Sequence, residues 1–129
     1  MTSVADSGVA DSALVDPVEV DILIVGAGPV GLYGAYYAGF RGLKVALIDS
    51  LPEAGGQVTA MYPEKQFFDV GGFPAVKGRV LVANLVEQAA PFDPIYLLDE
   101  QADTLERIPA EGGDERLSLI HISEPTRPY

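Results

Sequence analysis

The stretch "VEVDILIVGAGPVGLYGAYYAGFRGLKVALID", Val18 to Asp49, decides the fold. Its first eight residues are mostly β-branched and apolar, which predicts a buried strand ending at Val25. Gly26, Gly28 and Gly31 follow as G-x-G-x-x-G. Leu32, Ala35 or Tyr36, Gly39 and Leu43 then recur at helical spacing, and Gly42 marks the stop. "KVALID" predicts a second short buried strand. Strand, glycine turn, helix and strand make one βαβ unit, with parallel strands and a right-handed crossover.

The glycines have separate jobs in such a unit. Gly26 allows a tight turn out of the strand. Gly28, lacking a side chain, lets a pyrophosphate approach the backbone, and Gly31 lets helix pack closely on sheet. Unpaired N–H groups and the positive dipole end at the helix N-terminus favour phosphate. Pro29 suits the first helical turn, where a missing N–H costs little. Asp49 lies 18 residues beyond Gly31, at the end of the second strand. Its carboxylate can accept hydrogen bonds from ribose hydroxyls, and its charge repels a 2′-phosphate. The glycine pattern alone is weak, but its context supports a dinucleotide site over a purely structural turn.

Ser50 to Lys77 show no clear period. This segment carries three prolines, two glycine pairs (Gly55-Gly56 and Gly71-Gly72), Tyr62 and three phenylalanines. A loop of that size can wrap a ligand beyond its ADP half, which favours FAD over NAD. Gly55 and Gly56 permit close backbone approach, Gln57 offers an amide, and Tyr62 can cover a flat ring. Beyond it, Leu81, Val82, Leu85, Val86 and Ala89 share one helical face, with Pro91 as the stop. "IYLLD" predicts a third strand, and "QADTLERI" a fourth that turns at "PAEGGDE".

Composition narrows the function classes. A chain of 129 residues with 48% apolar residues can build a packed core. Nineteen acidic against 8 basic residues give a net charge of −11, which disfavours nucleic acid and anionic membrane surfaces. There is no cysteine and one histidine, so disulfides, a redox CxxC and a zinc site are not expected. No signal peptide is apparent, and a cytoplasmic location is expected. Tyr33, Tyr36, Tyr37 and Phe40 read as packing residues, and Glu111, Asp114 and Glu115 as a solvated turn. Asp99 and Glu100, adjacent on a predicted strand, should point to opposite faces, which argues against a shared acid–base role.

"GGQVTAMYPEKQFFDVGGFP", Gly55 to Pro74, together with the opening stretch, resembles the thioredoxin-reductase-like ferredoxin–NADP reductases. The resemblance runs from about Val20 to Glu106. Its specific part is "GGQ", four residues, "YPEK" and "DVGGFP"; thioredoxin reductases share the "GGQ" and an ending near "FPG". It implies an FAD domain split by an inserted NADPH-binding domain. Val30 would then contact phosphate through its backbone, and Asp49, often glutamate in relatives, would hold the adenosine ribose. Gln57 and Tyr62 would contact the flavin half. The position of Asp103, usually apolar in relatives, would touch adenine through its backbone. NADPH would reduce FAD, which would pass electrons to ferredoxin or flavodoxin. No side chain is singled out as catalytic, and a homodimeric parent is implied. The alternatives are thioredoxin reductase, or a stand-alone dinucleotide-binding module.

The expected fold class is therefore α/β: a Rossmann-like βαβ FAD-binding domain in three layers around a parallel sheet, incomplete as it stands. Residues 1–17 read as a disordered leader and 18–116 as the N-terminal part of that domain. "LSLIHISEPTR", from Leu117, resembles a translated transposase sequencing-library adapter, so 117–129 read as a non-native tail. The competing reading is a natural strand, since Leu117, Leu119 and Ile120 are apolar. His121 lies in this tail and gets no catalytic role. An incomplete sheet predicts an open edge, low solubility and weak FAD binding at most.

Overall fold

The computed structural model describes residues 17–109 and the backbone of 115–122. The expected leader (apart from Pro17), residues 110–114, where a solvated turn is expected, and residues 123–129 lie outside the described residues.

Three parallel strands form the central sheet: β1 (Ile22–Val25), β2 (Val45–Asp49) and β5 (Ile95–Leu98), in the order β1-β2-β5. Strand β2 is the middle strand because it is the most apolar, and residues 45–48 are all buried. Among the described residues, β1 pairs on one edge only. It starts four residues later than its apolar run suggests. The N–H groups of Asp21 and Ile22 both donate to the Lys44 carbonyl, at 2.9 and 3.1 Å, and the Asp21 carboxylate accepts from the Lys44 N–H at 2.8 Å. This clasp sets where pairing begins.

Helix α1 (Pro29–Phe40) crosses from β1 to β2. Gly42 at φ +86° ends it: its N–H bonds the Gly39 carbonyl, and the Leu43 N–H reaches back to Ala38. That is a Schellman cap, which a left-handed glycine makes possible. The helix buries Leu32, Ala35 and Ala38. Helix α3 (Gly78–Ala89) buries Leu81, Val82 and Ala89, as its period predicts. Both helices contribute to one core with Val45 and Leu47, flanked by Ile22, Ile24, Tyr96 and Leu98 from the same sheet face. Pro91 does not stop the chain outright, since a 3-10 turn continues through Ala90–Phe92.

The segment 50–77 is more ordered than its sequence suggests. It contains α2 (Gly56–Met61) and a small antiparallel ladder of β3 (Gln66–Phe67) with β4 (Val76–Lys77). The ladder is tied to α3 by backbone bonds from Gly78 to Lys65 (2.9 Å) and from Arg79 to Pro63 (2.8 Å). Glu64 adds ion pairs to Arg79 at 2.8 Å and Lys77 at 3.5 Å.

Strand β6 (Gln101–Pro109) pairs antiparallel with β7 (Glu115–Ile122), with a register shift between Ala102 and Thr104. Strand pairing requires only extended backbone, so β7 forms whichever origin its residues have. The aromatic residues of α1 pack, but on one another. Tyr36 lies 5.6 Å from Tyr33, 6.1 Å from Phe40 and 5.8 Å from Phe92, centroid to centroid, while Tyr33, Tyr37 and Phe40 stay exposed. Among the described residues no helix is long and apolar enough to cross a membrane.

Candidate functional site

The site is built at the carboxyl ends of β1 and β2, where parallel sheets bind ligands. Gly26 leaves β1 at φ +110°, and its N–H donates to the Ile48 carbonyl at 2.8 Å. A Cβ on Gly31 would overlap the Gly26 carbonyl oxygen and press on Ile24. Only glycine lets α1 start this close to the strand. Gly28 is the N-cap of α1, with Pro29 in its first turn. The space a Gly28 side chain would fill is open. The Gly28 carbonyl accepts the first helical bond, from Leu32 at 2.9 Å, so the N–H groups of Val30 and Gly31 precede the ladder. The Val30 side chain is 88% exposed, which leaves the helix start accessible.

Asp49 ties this loop to the next one. One carboxylate oxygen accepts from the Ala27 N–H at 2.7 Å, the other from the Leu51 N–H at 2.9 Å. The Ala27 amide is thereby committed to Asp49 rather than to a phosphate. Each carboxylate oxygen has a second lone pair for a hydroxyl.

The second glycine pair closes on the first. Gly55 donates to the Ala27 carbonyl at 2.7 Å, and a Cβ on Gly56 would lie 3.1 Å from the Gly28 Cα. Two glycine backbones are in contact, which no sequence period could signal. Gln57 and Tyr62 sit at the start and C-cap of α2, both exposed. The Lys65 ammonium lies 5.3 Å from the centre of the Tyr62 ring.

Two clefts open here. One, of about 240 Å³, brings Gly26 and Asp49 together with Ser50, Glu100, Gln101 and Ala102. The other, of about 340 Å³, runs along Gly26, Gly28, Pro29, Val30 and Gly31 beside the end of β1. Gln57, Tyr62 and Asp103 line neither. Asp103 stands at the register shift of β6 and has no residue opposite it in β7. Such a bulge leaves backbone groups outside the ladder.

Sequence reasoning missed Ser50, Glu100, Gln101 and Ala102. The signal was the parallel pairing of β2 with β5, which puts the residues after Leu98 beside Asp49. Asp99 and Glu100 are not on a strand as expected. β5 ends at Leu98, Asp99 adopts φ +59°, and the Glu100 N–H donates to the Asp49 carbonyl at 3.0 Å. Among the described residues no group of histidine and carboxylate side chains is arranged to hold a metal.

Comparison with known proteins agrees with this geometry. A ferredoxin–NADP reductase of Frankia alni is 74% identical over 88 residues, which is 68% of this chain and 27% of that protein. Over this stretch the chain is similar to ferredoxin–NADP reductases. One from Thermus thermophilus is 60% identical over 87 residues, covering 67% of this chain and 26% of that protein. The resemblance read from "GGQ", "YPEK" and "DVGGFP" is thus borne out. The chain spans about a quarter of the length of the curated relatives it matches. The Thi4 family matches residues 7–61. Among solved structures, the thioredoxin reductase of T. acidophilum superposes with a TM-score of 0.62 at 26% identity, covering 79% of this chain and 30% of that one. The α/β fold is therefore that of thioredoxin-reductase-like proteins.

Proposed function

We propose that this chain is the FAD-cradling part of a ferredoxin–NADP reductase. The observation that carries the reading is the contact of two glycine turns, Gly28 against Gly56, clasped by Asp49. It leaves an open, side-chain-free approach to the start of α1, which a pyrophosphate requires. Val30 and Gly31 would donate backbone N–H groups to phosphate, with Gly26, Pro29 and Gly31 shaping the turn. Asp49 would accept from the adenosine ribose through its remaining lone pairs. Asp103 would meet adenine through the backbone its bulge frees. Gly56 would let the ligand pass, and Gln57 and Tyr62 would face the flavin half.

Bound FAD would supply the redox chemistry, taking a hydride from NADPH and releasing electrons singly to ferredoxin or flavodoxin. This chain's residues bind and orient, and none of them exchanges a proton with the reacting ring. The parent enzyme is proposed as a cytoplasmic homodimer that also binds NADP(H). Residues 18–116 are proposed as its native part and 117–129 as an adapter-derived tail. Reading the parent locus past the codon for Arg116 tests that division: an uninterrupted frame that encodes the same tail would overturn it.

Ligand binding tests the function. The chain should fail to retain FAD through purification yet show weak, saturable FAD binding by saturation-transfer NMR. Gly28→Val should abolish that signal by filling the approach. No saturable binding, or binding indifferent to Gly28→Val, would contradict the reading.

A further inference from the structure

The turn from Tyr62 to Lys65 is fixed along its backbone. The Tyr62 N–H donates to the Val58 carbonyl at 3.1 Å, and the Lys65 N–H to the Tyr62 carbonyl at 3.2 Å. The start of α3 closes on the same turn, where Gly78 donates to Lys65 and Arg79 to Pro63. A Cβ on Gly78 would lie 2.6 Å from the Tyr62 carbonyl oxygen, so glycine is needed for this fit. The Tyr62 side chain is held differently. The residue is 46% exposed, and its ring meets the Lys65 ammonium at 5.3 Å from the ring centre. The same ammonium lies over Phe67, 5.8 Å from that ring centre. Phe67 is half-buried and anchored in the small ladder, opposite Val76. Glu64, the carboxylate beside Lys65 in sequence, is engaged by Arg79 and Lys77 instead. One cation thus bridges an anchored ring and an exposed one.

We infer that Lys65 is a positioning residue that holds the Tyr62 ring in place for a flat ligand ring, by bridging it to Phe67. The inference deepens the reading of Tyr62 as a flavin contact and rests on it. Helix α2 carries the chain from Gly56 to Tyr62, about 9 Å along its axis. A ligand that crosses the glycine contact can therefore reach the ring. An exposed side chain loses rotamer freedom when a ligand orders it, and that loss weakens binding. A ring ordered beforehand avoids most of it. The ammonium is attracted to one face of the ring, which leaves the opposite face for stacking.

The test compares FAD with ADP, which lacks the flavin half. Dissociation constants of both are measured on the full chain and on its Lys65→Met, Lys65→Arg and Tyr62→Leu variants and the Lys65→Met/Tyr62→Leu double variant. Lys65→Met should weaken FAD about 3-fold, as expected for loss of one exposed cation–π contact, and leave ADP unchanged. Lys65→Arg should keep the wild-type ratio, since a guanidinium makes the same contact. In the Tyr62→Leu background, Lys65→Met should change nothing further. An FAD-to-ADP ratio indifferent to Lys65→Met would overturn the inference, as would a full 3-fold loss that persists without Tyr62. A second readout needs no ligand. The ε-protons of Lys65 should resonate upfield of ordinary lysine in the NMR spectrum, and should move back in Tyr62→Leu. Ordinary positions in the wild type would overturn the inference while leaving the flavin reading intact. Shifted ε-protons together with FAD binding indifferent to Tyr62→Leu would instead sink the flavin reading of Tyr62, and this inference with it.

Discussion

The βαβ unit around Asp49 and the β6–β7 hairpin are held by different forces. In the first, Leu32 and Leu47 are completely buried, and the loops are clasped by side-chain and backbone bonds between distant residues. In the second, a backbone ladder pairs the two strands, and β6 is exposed at seven of its nine positions. The difference teaches where geometry is fixed. The candidate site draws its glycines and Asp49 from the packed unit, and the cleft beside Asp49 takes Gln101 and Ala102 from the near end of the hairpin.

Substitutions should break the two regions unequally. Leu47→Ala should cost about 3 kcal/mol, since it opens a cavity in the shared core. Urea unfolding measures this, and a cost as small as that of a surface change would contradict the packing. Gly31→Val should cost about as much, by overpacking against Gly26 and Ile24. It should also remove nucleotide binding in whatever folded population remains. Tyr96 gives a smaller and oppositely signed effect. Its hydroxyl oxygen is buried with no hydrogen-bond partner among the described residues, and burial pushes its pKa up. The folded state therefore holds the neutral form longer than the unfolded chain does. Stability is full below about pH 10, the ordinary tyrosine value, and falls as pH rises beyond it. Tyr96→Phe should be neutral or stabilising by about 1 kcal/mol, and should flatten that alkaline loss. The smallest effect is expected in the hairpin. Leu105, 64% exposed on β6, should tolerate Ser with a change under about 0.5 kcal/mol.

The same contrast explains what the sequence made legible. The strand–glycine–helix–strand unit was readable because its signals are local: apolar runs, glycines at fixed offsets, and Gly42 ending α1. Asp49 was readable from its distance to Gly31. The order within 50–77 was not readable, because long-range bonds create it. Gly55 reaches Ala27, Gly78 reaches Lys65, and Arg79 reaches Pro63 and Glu64. Glu100 was misread because a left-handed Asp99 ends β5 one residue early and turns the chain toward Asp49. The aromatic residues of α1 meet one another at the surface rather than in the core, an arrangement their helical spacing alone does not specify.

Amide chemical-shift mapping of the chain with ADP tests the central claim most directly. The account predicts shifts centred on Gly28, Val30, Gly31 and Gly56, with a second group at Asp49 to Leu51 and Gln101 to Asp103. Shifts confined to the hairpin beyond Thr104, or none at saturating ADP, would contradict it.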